Sequence, residues 1–177
     1  MFRLYFVGGI FGAGKSSLCQ ILSPILPAEH YKASDLVRHV PDPDDATGKA
    51  TDEIYSNQER LLSALGVRRA TPGTVLLDGH FCLLDHARTV VRVPRDIFER
   101  MQPNALVLVE TDITQVLDRI RQRDARHLDP VLIWQLAQAE REHALAISKD
   151  IGIPIMTVDV STNLEDIVAF LRASSDS

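Results

Sequence analysis

The sequence predicts a three-layer α/β domain with about five parallel strands between two layers of helices. Three observations predict it. Uninterrupted apolar, β-rich runs recur at residues 2–7, 74–78, 105–110 and 153–158. Stretches of helical periodicity alternate with them, and strands buried on both faces of a parallel sheet read as continuous apolar runs. The chain has 177 residues, close to one ordinary domain, and burying about 70% of the unfolded surface needs no staple at that size.

The elements follow in order. Residues 2–7 (Phe-Arg-Leu-Tyr-Phe-Val) end at Gly8-Gly9, a buried strand and then a tight turn. Residues 16–25 carry Leu18, Ile21, Leu22 and Ile25 at helical spacing, with Pro27 marking the end. Residues 30–33 suit a short second strand, and a helix begins near Asp35. Residues 41–53 set Pro41, Pro43 and Gly48 among Asp42, Asp44, Asp45, Asp52 and Glu53, which predicts a mobile acidic loop. Residues 54–65 form a helix with Ile54, Leu61, Leu62 and Leu65 on one side and Gly66 as its stop.

Residues 74–78 (Thr-Val-Leu-Leu-Asp) form a second strong strand, ended by Gly79. Residues 81–93 suit two short extended pieces around Asp85-His86, and residues 94–101 a helical turn. A third strong strand covers 105–110, and a helix runs from 113 to about 123. Asp129 caps the next helix with Pro130 at its first position; Gly152 closes it. A strand over 153–158, a helix over 163–173 and a frayed tail complete the chain. No internal repeat or low-complexity tract interrupts this order.

Composition excludes several classes. Net charge is −5, which argues against broad nucleic-acid binding. No run approaches 18 apolar residues, so no membrane span is expected. The apolar start runs straight into glycines and reads as a strand, not a signal peptide. Cys19 and Cys82 are too few for a disulfide framework and lack zinc-site spacing; free thiols fit a reducing, cytoplasmic setting. Cys82 reads as a small buried residue, and Trp134 as core or a subunit contact.

Gly9-Ile10-Phe11-Gly12-Ala13-Gly14-Lys15-Ser16 matches G-x-x-x-x-G-K-[S/T], between a predicted strand and a predicted helix. Such a P-loop wraps a phosphate in backbone N–H groups; Lys15 reaches the β- and γ-phosphates, and Ser16 ligates Mg²⁺. The helix that starts there points its positive end at the anion. Gly9, Gly12, Ala13, Gly14, Lys15, Ser16 and Ser17 are therefore the expected ATP-binding residues.

Asp78, at the tip of the second strong strand, is expected to hold Mg²⁺ through water. Many ATPases follow this aspartate with a water-activating glutamate, but here Gly79 stands there. Asn-Lys-x-Asp, the guanine signature of GTPases, is absent. A small kinase remains, moving the γ-phosphoryl group to a small acceptor. That chemistry requires positioning, cationic groups over the phosphoryl and exclusion of water. Fifteen of the nineteen basic residues are arginine, and Arg119, Arg121, Arg123 and Arg126 crowd one stretch. On a helix Arg119 and Arg123 share a face, so these two are the expected catalytic arginines beside Lys15 and Asp78. Arg121 faces elsewhere, and Arg126 sits near the break before Asp129.

The P-loop, Leu76-Leu77-Asp78-Gly79 and the arginine-rich segment resemble the nucleoside monophosphate kinases. The nearer resemblance is to archaeal-type adenylate kinases and related small ATP-binding proteins. It rests on Gln102-Pro103-Asn104 before Val107-Leu108-Val109-Glu110-Thr111-Asp112, on Asp78-Gly79-His80 and on Ser34-Asp35. The resemblance implies a sheet in the order 2-3-1-4-5. It implies one P-loop kinase-like domain over 1–177, with a mobile acceptor-binding segment at about 35–65 and a short lid at about 119–130. It also implies that Asp35, the region of Asn57 and Gln58, and His80 face the acceptor, and that Ser161-Thr162-Asn163 lies near the adenine. Many adenylate kinases place an arginine after Asp-Gly to grip the acceptor phosphate. This chain has His80-Phe81-Cys82 there, so Arg88, Arg92 and Arg95 are the candidates to replace it.

The expected activity is thus ATP–Mg²⁺-dependent phosphotransfer to a small-molecule acceptor, with a nucleoside monophosphate leading. An ATP-binding switch protein with slow hydrolysis, and a kinase of another small molecule or of a 5′-hydroxyl nucleic-acid end, stay open.

Overall fold

A computed structural model of the chain describes residues 1–38, 53–124 and 129–174. It opens with β1 (Phe2–Gly8), α1 (Lys15–Ile25), β2 (Ala28–Lys32) and α2 (Ala33–Arg38). Next come α3 (Glu53–Arg69), β3 (Gly73–Asp78), a hairpin of β4 (Cys82–Leu84) and β5 (Val90–Arg92), and α4 (Arg95–Met101). The chain continues with β6 (Ala105–Val109), α5 (Ile113–Asp124), α6 (Pro130–Ile151), β7 (Ile155–Val158) and α7 (Leu164–Ala173).

Five strands form one parallel sheet in the order β2-β3-β1-β6-β7. Counted within that sheet, the order is the expected 2-3-1-4-5. The register sets Val7 opposite Asp78 and Asp78 opposite Lys32, so the carboxyl ends of β1, β2 and β3 finish side by side.

Alternation along β1 sorts the core. Tyr5 and Val7 face Cys19 and Leu22 of α1, Val116 of α5, Ile133 and Leu136 of α6, and Leu171 of α7. Leu4 and Phe6 face Leu61 and Leu65 of α3, Ile97 and Phe98 of α4, and Ala144 and Ile147 of α6. Helices therefore cover both faces. Phe6, Phe81 and Phe98 form an aromatic cluster with centroid separations of 5.0 to 5.4 Å.

Three details differ from expectation. Helix α3 runs through Gly66 to Arg69. A mid-helix glycine costs only about 1 kcal/mol. The last turn has anchors: Arg68 pairs with Glu29 at 2.8 Å and lies over the Tyr31 ring, while Arg69 donates to the Met101 carbonyl. Of the two places expected for Trp134, core or subunit contact, the core is excluded: it stands 55% exposed on α6, whose inward face is Ile133 and Leu136. β2 begins at Ala28, because Ala28 already pairs with Thr74. The acidic stretch falls almost wholly outside the described residues. Asp129 and Gly152 cap α6 as expected, and Asn163 caps α7.

Candidate functional site

The site is built where β1 and β3 end. The chain leaves β1 into the Gly9–Gly14 turn and enters α1 at Lys15. Gly9 has φ 142°, and a Cβ there would collide with the Val109 carbonyl oxygen, so only glycine fits. No side chain caps α1. The first-turn N–H groups, left without helical acceptors, point out of the N-terminus. Residues 12–18 line a cavity of about 670 Å³ at that point, closed on its other side by Val158, Thr162 and Ile167.

The Lys15 side chain lies buried along the loop. Its Nζ donates to the carbonyls of Gly9 at 2.8 Å and Ile10 at 3.0 Å, and it sits 3.9 Å from Asp78 Oδ1. Burial holds the ammonium below the ordinary lysine range, against the opposing pull of Asp78 and Glu140. Ser16 Oγ donates to Asp78 Oδ2. His30, on β2, brings Nε2 to 3.8 Å from the same carboxylate, and that nitrogen has no hydrogen-bond partner among the described residues.

Two hard oxygen donors meeting beside a phosphate-binding loop fit Mg²⁺, which takes one or two protein ligands and leaves the rest to water and phosphate. Ser16 and Asp78 would hold it. Among the described residues, no group of three or more His, Cys, Asp or Glu side chains forms an all-protein cage.

Arg119, on α5, donates from Nη1 to the Gly12 carbonyl at 2.9 Å and lines the first cavity. Thr111 Oγ1 fastens the same loop through the Ala13 carbonyl at 2.7 Å. Arg121 turns away and pairs with Asp118 at 3.6 Å. Arg123 lies on α5 four residues beyond Arg119; its side chain and all of Arg126 fall outside the described residues. Of Ser161-Thr162-Asn163, only Thr162 lines the first cavity. Asp159 binds that turn from below: hydrogen bonds from Ser161 hold its carboxyl under the usual range.

A second cavity, of about 410 Å³, begins at Gly79 and His80, immediately beyond Asp78. Phe6, Leu61, Phe98 and Met101 give it an apolar part; Ser34, Arg38, Asn57, Gln58, Arg60 and His80 give it a polar one. A Cβ on Gly79 would stand 2.7 Å from the Phe6 ring, so glycine keeps this turn close to the aromatic cluster. His80 Nδ1 lies 3.3 Å from Oε1 of Glu140.

The loop, Asp78 and Arg119 all lie within the matched span of one known family, whereas Val158, Thr162 and Ile167 on the far wall of the first cavity lie beyond it. The AAA_17 family, an AAA domain, matches residues 8–132. The chain belongs to that family. The match ends just inside α6, so most of α6, β7 and α7 lie beyond it. None of the curated proteins matches this AAA-domain chain. Solved structures share its fold. A gluconokinase from Sinorhizobium meliloti 1021 has a TM-score of 0.54 at 22% identity, over 97% of this chain and 90% of that one. A shikimate kinase from Acinetobacter baumannii, in complex with shikimate, has 0.54 at 15%, over 99% and 95%. A deoxyadenosine kinase from M. mycoides, with bound dATP, has 0.55 at 13%, over 99% and 100%.

Within this AAA domain, the structure brings Lys15, Ser16, Asp78 and Arg119 together and sets His80 and Gln58 in the second cavity. Asp35 is not among that cavity's lining residues; it pairs with Arg38 at 3.2 Å, and its neighbours Ser34 and Arg38 line the wall instead. Ser34 and Arg38 are four residues apart on α2 and share a face, and Asp35 lies one position round from Ser34. Arg88, Arg92 and Arg95 are also displaced from it. Arg92 pairs with Glu142 and Arg95 with Glu99 on the surface, and Arg88 closes the β4–β5 turn. Among the described residues, the cationic side chains at this cavity are Arg38 and Arg60, which carry no motif of their own. Glu140, buried behind His80, was equally unmarked. Its one sequence signal is a charge inside the inward stripe of α6. No described helix is long and apolar enough to cross a membrane.

Proposed function

We propose that this chain is a cytoplasmic ATP–Mg²⁺-dependent phosphotransferase whose acceptor is a nucleoside monophosphate. The observation that carries it is the second cavity, which begins one residue beyond Asp78 and so adjoins the place where a γ-phosphoryl group would be held. Three solved structures of the same fold are named as kinases of different small acceptors, which supports phosphotransfer. The acceptor is inferred from the cavity. An aromatic, apolar part suits the face of a base, and Arg38 and Arg60 suit a phosphate.

In this reading the backbone of Gly9, Gly12, Ala13, Gly14, Ser16 and Ser17 cradles the ATP phosphates, and Lys15 neutralises the β- and γ-oxygens. Mg²⁺, held by Ser16 and through water by Asp78, would screen the phosphate charge. Arg119 and Arg123 stabilise the charge on the transferring group. The acceptor oxygen bonds to the γ-phosphorus as the bond to ADP breaks, and ADP leaves with its charge neutralised. Gln58 and His80 hold the acceptor, with Asp35 orienting Arg38. The whole chain acts as one domain in which segments 35–65 and 119–130 close over the substrates.

The test is transfer of label from γ-labelled ATP–Mg²⁺ to a panel of ribo- and deoxyribonucleoside monophosphates. Nucleosides, gluconate, a 5′-hydroxyl oligonucleotide and a no-acceptor lane run alongside. Rapid labelling of one monophosphate is expected. Label released only as slow inorganic phosphate, equal in every lane, overturns the proposal in favour of an ATP-binding switch.

A further inference from the structure

Helix α6 presents one stripe to the interior: Ile133, Leu136, Glu140, Ala144 and Ile147. Four are apolar and follow helical spacing; the central one is a carboxylate with 1% of its surface exposed. A buried carboxylate costs free energy unless donors satisfy it, and an alkyl group at that point would pack without the cost. Packing therefore does not account for Glu140.

Its partners do. Oε2 accepts a hydrogen bond from the Phe81 backbone N–H at 2.7 Å, and Oε1 lies 3.3 Å from His80 Nδ1. Both partners belong to the turn that leaves Asp78. The same helix holds the far end of this segment, where His143 Nε2 lies 2.7 Å from the Val93 carbonyl and Val93 N–H donates to Phe81 O at 2.9 Å. With one imidazole nitrogen held by Glu140, the opposite edge of the His80 ring is left to the second cavity, which His80 lines.

We infer that Glu140 is a positioning residue for the acceptor site. It fixes the His80 ring in the wall of the second cavity and ties the turn after Asp78 to α6. Asp78 then stays on Ser16 while His80 faces the acceptor. This inference rests on the acceptor reading of that cavity.

The experiment compares Glu140→Gln, Glu140→Ala, His80→Ala and the Glu140→Gln/His80→Ala double variant with the unaltered chain. Glutamine keeps a carbonyl oxygen for the Phe81 N–H and so preserves the fold. The acceptor KM should rise about tenfold in Glu140→Ala and less in Glu140→Gln, while Kd for ATP stays within threefold. On the His80→Ala background, Glu140→Gln should add little. Acceptor KM and ATP affinity weakening together, or effects that simply multiply, would reduce Glu140 to a structural residue and overturn the inference. A second readout needs no acceptor: the His80 imidazole resonances should move in Glu140→Gln. Unmoved resonances overturn the inference even if phosphotransfer is found. Moved resonances without any phosphotransfer support the positioning and fault only the acceptor reading.

Discussion

Ser16 Oγ donates a hydrogen bond to Asp78 Oδ2, joining the first turn of α1 to the last residue of β3 across 62 positions of sequence. The parallel pairing of β1 with β3 makes it: Val7 and Asp78 are in register, and the loop after Gly8 turns α1 back over that edge. A hydroxyl and a carboxylate are thereby held where a phosphate-bound cation would need them. Asp78→Asn removes the charge and keeps the shape. It should lower kcat by about 100-fold or more while changing the affinity for ATP far less, because the lost stabilisation belongs to the transition state. Steady-state rates and calorimetric ATP titration check it.

Lys15→Ala removes the one buried ammonium of the loop. ATP affinity should fall by about tenfold or more, and transfer should drop below detection, since on the proposed reading the lysine would contact the phosphates in both ground and transition states. Retained turnover in the same label-transfer assay would contradict the assignment of the loop.

Arg119 already touches the loop through Gly12 O. Arg119→Ala should lower kcat by about 100-fold while the KM for ATP moves within about threefold, the pattern of a group that counts chiefly in the transition state. Arg123→Ala should follow the same pattern. Unchanged kcat in both variants rejects the arginine assignment.

Phe98 is fully buried, stacked on Phe81 and edge-on to Phe6. Phe98→Ala should cost about 3–5 kcal/mol of stability in denaturant unfolding. The acceptor KM should rise as well, since Phe98 also lines the second cavity. ATP affinity measured well below the unfolding transition should hold.

Cys19 and Cys82 are both buried, and burial pushes each thiol from an ordinary 9.0 up to about 12. Neither should react quickly with a thiol reagent at pH 8 in the folded protein; both should react in denaturant. Between those values the folded chain keeps protons that the unfolded chain releases. The thiols' share of the stability should therefore fall as pH rises through that window and show no pH dependence below it; Lys15, held below its ordinary range, pulls the opposite way, so the share is read as the difference from a Cys19→Ala/Cys82→Ala chain. Denaturant midpoints between pH 8 and pH 11 test the sign.

The sequence was legible where local physics decides. Continuous apolar runs located β1, β3 and β6, because a strand buried on both faces has few polar positions to spare, and a similar run located the half-buried edge strand β7. The Gly9–Ser16 spacing located the loop, because glycines and a lysine at that spacing let consecutive backbone N–H groups wrap an anion at a helix start. Asp129 and Gly152 located the ends of α6 through capping alone. Gly66 misled for the complementary reason: its helix continues on contacts with Glu29, Tyr31 and Met101, which belong to distant strands and helices.

What only the tertiary structure decided lies on the acceptor side. Arg38 and Arg60 reach one cavity from two helices, and Glu140 reaches His80 from a third across 60 positions. No motif spaces them, because their meeting is set by how α2, α3 and α6 pack on the sheet rather than by any periodicity of the chain. A loop that wraps a phosphate with its own backbone must be contiguous, so it is written in consecutive residues. A pocket assembled from side chains of separate helices exists only once those helices are packed.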